Sequence, residues 1–426
     1  MTTPTTQATD PHADEPEVPP SSSGSLGDIV RAYFARLRGG DLGSLPAVLG
    51  LIVLVAVFSA LRPERFPSAF NIANLLNQSA AVVVLAMGLV FVLLLGEIDL
   101  SAGFTGGTAA AVTGVVMTNH GWGWIPSLLT GLATGAVIGT VIGLLVARLG
   151  IPSFVVTLAF FLGLQGVVLV IIGEGGTIAY RNEVILKLNN DPMPVWLGWT
   201  IAVVGLALYA ILTWRTDSRR RRHGLEAQPV LLWAIKTGAL VVLVLAFIAF
   251  LSQERSPNPT LKSIKGVPLV VAIIVALLVV LTYLLDRTAW GRHIYAVGGN
   301  AEASRRSGIS VARIKLTCFI TCSTMAAVAG LLIASRNNSA SPTTGGGTFL
   351  LYGVGAAVIG GTSLFGGKGR VSNAIIGGLV ISVIDNGMGL LRQSTGNVYM
   401  ITGLVLLVAA SVDAISRRQA TASGRA

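Results

Sequence analysis

Charged side chains are scarce in this chain of 426 residues, because Asp, Glu, Lys and Arg together make up only 12% of it. Soluble globular domains carry about 25% charged residues. Hydrophobic residues make up 53% of the chain, and they gather in apolar runs of about 20 residues, a length that crosses a bilayer as a helix. The composition therefore excludes a soluble globular domain and indicates a polytopic membrane protein.

Histidine and cysteine are also rare, with four and two copies. The histidines are scattered, and Cys318 and Cys322 lie within one apolar run, so we interpret both cysteines as packing residues. The sequence has no nucleophile elbow, no H-E-x-x-H zinc pair and no G-x-x-x-x-G-K-[ST] phosphate loop. We therefore expect no catalytic residue, no metal site and no cofactor bound by this chain, which does not hydrolyse ATP on its own.

Positive charge exceeds negative charge, and the formal net charge is +11. The arginines cluster beside the apolar runs, as topogenic charges do on the cytoplasmic side. We therefore expect membrane lipid around the chain and no nucleic acid partner. Arg62 and Arg65 break the pattern, because alternate threading of the runs puts them outside.

The runs predict about 10 to 12 spans, with both termini in the cytoplasm. Residues 1–44 are predicted to be a disordered cytoplasmic tail, 45–415 a transmembrane domain, and 416–426 a second cytoplasmic tail. Within the domain, 195–251 form a hydrophobic hairpin and 287–315 a cytoplasmic loop. The predicted spans begin near Leu45, Ala80, Ala102, Pro126, Ser153, Val195, Pro229, Val267, Val311, Thr348, Val371 and Val398.

Glycine is abundant, with 51 residues. One stripe at steps of four predicts close approach of a neighbouring backbone, which supplies helix packing in lipid. The stripe consists of Gly131, Gly135, Gly139 and Gly143.

The loop 287–315 contains the stretch AEASRRS between glycines. Asn300 can cap a short helix there, and Glu302 falls in its first turn, where the helix dipole favours an acid. Gly308 then ends the helix. A capped helix with exposed arginines suits docking of a soluble partner; an ordinary solvated loop with topogenic arginines is the other interpretation. The loop residues singled out are Gly298, Gly299, Asn300, Glu302, Ala303, Arg305, Arg306 and Gly308.

The stretch GEIDLSAGFTGG places Glu97 and Asp99 directly after an apolar run. A carboxylate at mid-bilayer costs at least about 2.5 kcal/mol, so both must lie at an interface, in a water-filled cavity or against protein donors. The serine and glycines that follow favour a broken helix lining a pathway. A tight turn in which Asp99 and Ser101 cap the next helix explains the residue types equally well.

Four blocks together identify a resemblance. E-A-S-x-x-x-G from Glu302 to Gly308 resembles the E-A-A-x-x-x-G coupling motif of ABC importer permeases, and its wider block AVGGNAEASRRSGI resembles the ribose/xylose-type sugar permease family. GEIDLSAG, VIGGTSLFGGKG and GIPSFVVTLAFFLGLQG are similar to further blocks of that family. DNGMGLL and the additional hairpin resemble its xylose members more than its ribose or galactose members.

The resemblance implies an all-α polytopic bundle with broken or re-entrant helices, similar to type II ABC importers. It implies a dimer of permeases, an extracytoplasmic sugar-binding protein, and an ATPase subunit with two nucleotide-binding modules that uses ATP and Mg. The expected cargo is a monosaccharide, D-xylose or a similar pentose. Ribose, galactose, a nucleoside or a branched-chain amino acid stay open, as do a standalone secondary carrier and, more remotely, a membrane enzyme.

A neutral sugar needs hydrogen-bonding groups and no charge, whereas polar residues in spans also hold helices together. Besides the GEIDLS turn, the candidate pathway residues are Asn77, Gln165, Thr362, Asp385 and Asn386, with Gln78 beside them.

Overall fold

The computed structural model describes residues 44–225, 229–256, 258–260 and 263–422. The predicted N-terminal tail, apart from Ser44, and the last four residues of the predicted C-terminal tail lie outside these ranges. Most of the described chain is helical, as in an all-α bundle, and the strands amount to one short antiparallel pair.

Twelve long helices match the twelve predicted spans, and eight of the described helices are long and apolar enough to cross a membrane. The long helices are α1 (Leu45–Leu61), α2 (Ala69–Leu94), α3 (Ala102–Thr118), α4 (Trp124–Ala147), α5 (Ser153–Ile172), α7 (Val195–Arg222), α8 (Val230–Leu251), α9 (Leu269–Arg287), α12 (Val311–Asn337), α13 (Gly347–Ile359), α14 (Val371–Leu390) and α15 (Thr395–Ala422). The shorter elements are α6 (Glu183–Asn190), α10 (Ala289–Gly299), α11 (Ala301–Arg306), β1 (Ile178–Ala179) and β2 (Ser339–Ala340).

Two predicted boundaries change. The start predicted near Ala80 is wrong, because α2 begins at Ala69, where the Ser68 hydroxyl accepts a hydrogen bond from the Asn71 amide at 3.2 Å. Asn71, Asn74 and Gln78 therefore belong to the helix, although they lower its hydropathy. At the other end of the chain α15 continues to Ala422, so residues 416–422 extend the last helix.

The long helices alternate in direction between two ends of the bundle. One end, called here the α10–α11 end, also holds the loop 360–370, whose Gly367 amide donates to the Leu94 carbonyl at 2.9 Å. The other end, called the far end, holds the β pair and α6. Arg148, Lys368, Arg370 and the arginines of α10 and α11 lie at the α10–α11 end, whereas Arg62 and Arg65 follow α1 at the far end.

Two helices begin inside the bundle. The segment before α3 enters from the α10–α11 end, and the segment before α13 enters from the far end. Their first turns meet, because a Cβ added at Gly103 would lie 2.5 Å from the Gly345 carbonyl oxygen. The helices then run to opposite ends, so the bundle contains the broken helices expected of it.

The glycine stripe of α4 faces α12. A Cβ at Gly135 would lie 2.6 Å from the Ser323 carbonyl oxygen, and one at Gly139 would lie 2.6 Å from that of Phe319. Gly143 meets Leu316, and Gly131 meets Thr113 of α3. Because real Cβ atoms do not approach a backbone so closely, only glycine permits this distance between the two helices.

Candidate functional site: a polar cavity at the far end

A cavity of about 750 Å³ opens at the far end, between α2, α13, α14 and the start of α15. Its wall carries amides, phenols and hydroxyls, with few charges. These groups both donate and accept hydrogen bonds, which suits a small neutral polyol. The polar residues that line the cavity are Glu64, Arg65, Ser68, Asn71, Asn74, Gln78, Thr348, Tyr352, Asp385, Asn386, Gln393, Thr395 and Tyr399.

Three amides connect α2 to α14 in the cavity wall. Asn71 Nδ2 donates to Asn386 Oδ1 at 2.9 Å, and Asn386 Nδ2 donates back to Asn71 Oδ1 at 3.1 Å. Asn386 Nδ2 also donates to Gln78 Oε1 at 3.1 Å. Both asparagines are buried, so each would lose stability if left without its partner. The network therefore fixes the spacing of the two helices at the cavity.

Asn74 lies between these amides in sequence and lines the same cavity. Within the described ranges its side chain has no hydrogen-bond partner, so its amide is available to a solute. Tyr352 of α13 and Tyr399 of α15 add aromatic rings to the wall. Amides beside aromatic faces are a lining that can hold both the hydroxyls and the apolar face of a sugar ring.

Asp385 is a charged residue within the predicted span α14, and its side chain lines the cavity. It lies next to Asn386 on α14, and the guanidinium of Arg336 on α12 is close enough to interact with its charge. Glu64 and Arg65 lie at the same cavity, in the turn that joins α1 to α2. Arg65, one of the two arginines that break the topogenic pattern, thus borders the cavity.

The GEIDLS turn lies away from this cavity. Lys315, near the start of α12, donates to the Glu97 carboxylate, which places Glu97 at the α10–α11 end. The chain then enters the bundle, and Asp99 Oδ1 accepts from the Ser101 amide at 2.9 Å and the Ser101 hydroxyl at 2.5 Å. Asp99 is fully buried, and its Oδ2 has no hydrogen-bond partner among the described residues. Ser101 is the N-cap residue of α3, but its side chain accepts no hydrogen bond from the helix. The interpretation of Ser101 as a capping side chain is therefore wrong, and the turn breaks the helical path.

The remaining candidate pathway residues fall into two groups, those that line the cavity and those that do not. Asp385, Asn386 and Gln78 line the cavity, whereas Asn77 and Gln165 do not. Thr362 is buried in the loop 360–370, next to Gly369. For Asn77, Gln165, Thr362 and the GEIDLS turn, a place on the pathway therefore stays a prediction.

The loop predicted at 287–315 consists of two helices, α10 and α11, packed on the bundle. Trp290 of α10 stacks on Phe91 of α2, with ring centroids 5.4 Å apart, and its Nε1 donates to Thr317 Oγ1 at 2.8 Å. The Tyr295 hydroxyl donates to the Gly369 carbonyl at 2.7 Å. Helix α10 therefore connects α2, α12 and the loop 360–370.

Gly298 marks the tightest of these contacts. A Cβ there would overlap the Leu94 carbonyl oxygen and lie 3.0 Å from the Gly367 nitrogen. At Gly299, the next residue, a Cβ would meet nothing within 4 Å. The last turn of α10 therefore packs closely against the end of α2 at Gly298. A side chain at Gly299 would face open space.

Helix α11 packs on the bundle at buried Ser304 and exposes its charged face. The Asn300 side chain accepts from the Ala303 amide at 2.9 Å, and Gly308 follows the helix with a φ of +83°. Glu302 pairs with Arg305 at 2.9 Å and with Arg306 at 3.3 Å, all three side chains being exposed. The helix therefore offers a charged surface to a partner rather than to the bundle.

A metal site has no support within the described ranges, where no three His, Cys, Asp or Glu side chains are grouped to hold an ion. Sequence reasoning missed Asn71, Asn74 and the two tyrosines as cavity residues. For the asparagines, a signal existed: Asn71, Asn74 and Gln78 follow helical spacing. No sequence signal identified the two tyrosines, because their helices, α13 and α15, are far from α2 in the sequence.

The known proteins that this chain is similar to are permease components of transport systems. Residues 71–410 match the family described as branched-chain amino acid transport system, permease component. The xylose transport system permease protein XylH of Escherichia coli strain K12 is 33% identical over 386 residues, covering 91% of this chain and 95% of the relative. The corresponding protein of Haemophilus influenzae is 31% identical, covering 90% of this chain and 99% of the relative. The ribose import permease protein RbsC of Escherichia coli strain K12 is 30% identical, covering 90% of this chain and 96% of the relative. No solved structure matches the chain.

Proposed function

The chain belongs to this family of transport permeases, and from that premise we propose that it is the membrane subunit of an ATP-binding-cassette importer that carries a monosaccharide, D-xylose or a similar pentose. The relatives named for xylose and ribose transport support the class of cargo. The observation that carries the proposal is the cavity at the far end, whose amides and phenols suit a neutral polyol.

The two ends of the bundle face opposite sides of the membrane and have different functions. Positive charge concentrates at the α10–α11 end, which by the positive-inside rule faces the cytoplasm. The cavity then opens to the outside, where an extracytoplasmic sugar-binding protein delivers its cargo. Both termini follow the α10–α11 end into the cytoplasm, because α1 begins there and α15 ends there.

The energy comes from a partner. The chain binds no nucleotide itself, and a separate ATPase subunit with two nucleotide-binding modules uses ATP and Mg. That subunit docks on α11 through Glu302, Arg305 and Arg306, which are exposed. Its movement reaches the spans through α10, because Gly298 and Tyr295 contact the end of α2 and the loop 360–370. A second copy of the chain completes the permease.

Uptake of radiolabelled D-xylose tests the proposal. Cells without pentose transporters of their own would express the chain with its ATPase and binding protein, and each component would be omitted in turn. We expect uptake only with all three. Uptake by the chain alone under an ion gradient would instead indicate a secondary carrier, and inhibition by leucine but not by ribose would indicate an amino acid permease.

A matched pair of variants tests the cavity as the pathway. Asn74 lines the cavity and Asn77, one turn further along α2, does not. We expect Asn74→Leu to lower xylose uptake at least tenfold at normal protein level, and to lower it more than Asn77→Leu does. The reverse order would remove the cavity from the pathway while leaving the transporter class intact.

A further inference from the structure

Among the described residues, the hairpin of α7 and α8 packs on the bundle at the far end. Its buried residues at the far end, Ile248 and Leu251, pack with Met193, Val267 and Ala73 of α2. Beyond this cluster, the apolar residues of α7 are exposed around most of the helix circumference. They include Val203, Val204, Leu208, Tyr209, Ile211 and Leu212, all at least 45% exposed.

Helix α7 is too long for the bilayer. Its 28 residues correspond to about 42 Å at 1.5 Å per residue, whereas the hydrocarbon core is about 30 Å thick. The apolar part from Val195 to Trp214 fills that thickness. The basic part that follows therefore emerges into the headgroup region at the α10–α11 end, because α7 begins beside the far-end start of α9.

Two tryptophans lie at this boundary. Trp214 of α7 and Trp233 of α8 have ring centroids 4.9 Å apart, and Trp233 Nε1 donates to Thr213 Oγ1 at 3.0 Å. The Arg221 guanidinium lies 5.8 Å from the centroid of Trp214. Paired indoles below a guanidinium are an arrangement suited to the membrane interface, where amphipathic rings lie at headgroup level.

The emerging turns are strongly basic. Residues 215–222 contain five arginines and one aspartate, which gives a net charge of +4, and all five arginines are exposed. Four of them, Arg219 to Arg222, are consecutive, so their side chains leave the helix in all directions. Side chains that point in all directions around a helix suit a plane of phosphate groups, which surrounds the helix on every side. Groups of 4 to 8 basic residues just inside a membrane helix are typical of anionic lipid recognition.

We propose that this basic tip, residues 215–222, binds the headgroups of anionic phospholipids such as phosphatidylglycerol in the leaflet on the α10–α11 side. The bundle holds one end of the hairpin, and the headgroups hold the other. This assigns the arginines a binding role in the folded protein, in addition to any part in membrane insertion.

The number of anionic lipids that stay bound to the purified protein tests the proposal directly. The purified full chain is equilibrated with an equimolar mixture of phosphatidylglycerol and phosphatidylcholine, and the lipids retained are counted by native mass spectrometry. We compare the wild type with a variant carrying Arg219→Gln, Arg220→Gln, Arg221→Gln and Arg222→Gln. A second variant carries lysine at the same four positions, and a matched control carries Arg292→Gln, Arg305→Gln, Arg306→Gln and Arg313→Gln.

We expect the glutamine variant to lose at least about tenfold in the ratio of phosphatidylglycerol to phosphatidylcholine retained, since each basic residue near an anionic surface contributes about fivefold in affinity. The lysine variant and the control should stay within about twofold of the wild type. An unchanged ratio in the glutamine variant would overturn the proposal, and so would an equal loss in the control.

Folding of the hairpin needs its own check, because fewer positive charges can alter its insertion. If the fourfold glutamine variant does not fold, the single variants Arg219→Gln and Arg220→Gln replace it. Each should lower the ratio about two- to fivefold, and the wild-type ratio should fall as NaCl is raised. A wild-type ratio that is insensitive to salt, or single variants equal to the wild type, would contradict a headgroup site at this tip.

Discussion

Gly298 and Gly299 are a matched pair of positions for testing how ATP hydrolysis is coupled to transport. They are neighbours at the end of α10, and their surroundings differ. At Gly298 an alanine methyl would overlap the Leu94 carbonyl oxygen, and at Gly299 it would meet nothing within 4 Å. Relief of the overlap requires α10 to move away from the end of α2. Overpacking of this kind costs about 1 to 3 kcal/mol.

The same movement disturbs a second contact. The Gly367 amide donates to the Leu94 carbonyl at 2.9 Å, and a hydrogen bond of this kind contributes about 0.5 to 1.5 kcal/mol. Together the two effects predict a loss of about 2 to 4 kcal/mol for Gly298→Ala. Gly299→Ala should change stability by less than about 0.5 kcal/mol.

The assay has two parts. Thermal unfolding of the purified chain, followed by size-exclusion chromatography after heating, gives the stability difference. Sugar transported per ATP hydrolysed by the reconstituted complex gives the coupling, which should fall several-fold for Gly298→Ala and stay near wild type for Gly299→Ala. Equal behaviour of the two variants in both measurements would refute the role assigned to this contact.

Three further predictions concern the cavity and the α10–α11 end. Asn386→Leu removes three amide hydrogen bonds, so at about 0.6 kcal/mol each in a membrane it should cost about 2 kcal/mol in thermal unfolding. A double-mutant cycle with Asn71→Leu should then give a coupling energy near 1 kcal/mol, and additive losses would contradict the network. Glu97→Lys alone should lower the melting temperature, and Lys315→Glu in addition should restore part of it, because the partly buried pair is re-formed with its charges exchanged; a double variant less stable than either single variant would argue against the pair. Burial raises the pKa of Tyr295 to about 12, above the value of about 10 in unfolded chains. The stability lost in Tyr295→Phe should therefore be constant below about pH 9 and should shrink as the pH rises from about 10 towards 12; a difference that already changes between pH 7 and 9 would contradict this.

Local sequence signals predicted the helices well, because apolar length is a property of each segment by itself. All twelve predicted spans correspond to long helices, and the capping residue Asn300 marked the start of α11. The one large boundary error, at the start of α2, has a physical reason. Asn71, Asn74 and Gln78 lower the hydropathy of its first turns, and the polar cavity that they line is not visible in a local window.

The cavity and the coupling contacts depend on residues that are far apart in the chain. Asn71 and Asn386 are 315 residues apart, and Glu97 and Lys315 are 218 residues apart. No spacing rule connects such pairs, so the sequence could not predict Asn386 as the partner of Asn71 or Lys315 as the partner of Glu97. The same holds for Gly298, whose special surroundings come from Leu94 and Gly367.

The sidedness of the two ends is the central claim, because cargo must enter at the cavity and energy must arrive at α11. Cys318 and Cys322 are fully buried, so a cysteine introduced at exposed Ser307, after α11, or at exposed Ser394, beside the cavity, can be labelled with little background. A membrane-impermeant maleimide should label Ser394→Cys in intact cells and Ser307→Cys only after the membrane is permeabilised. Labelling of Ser307→Cys from outside intact cells would contradict the account.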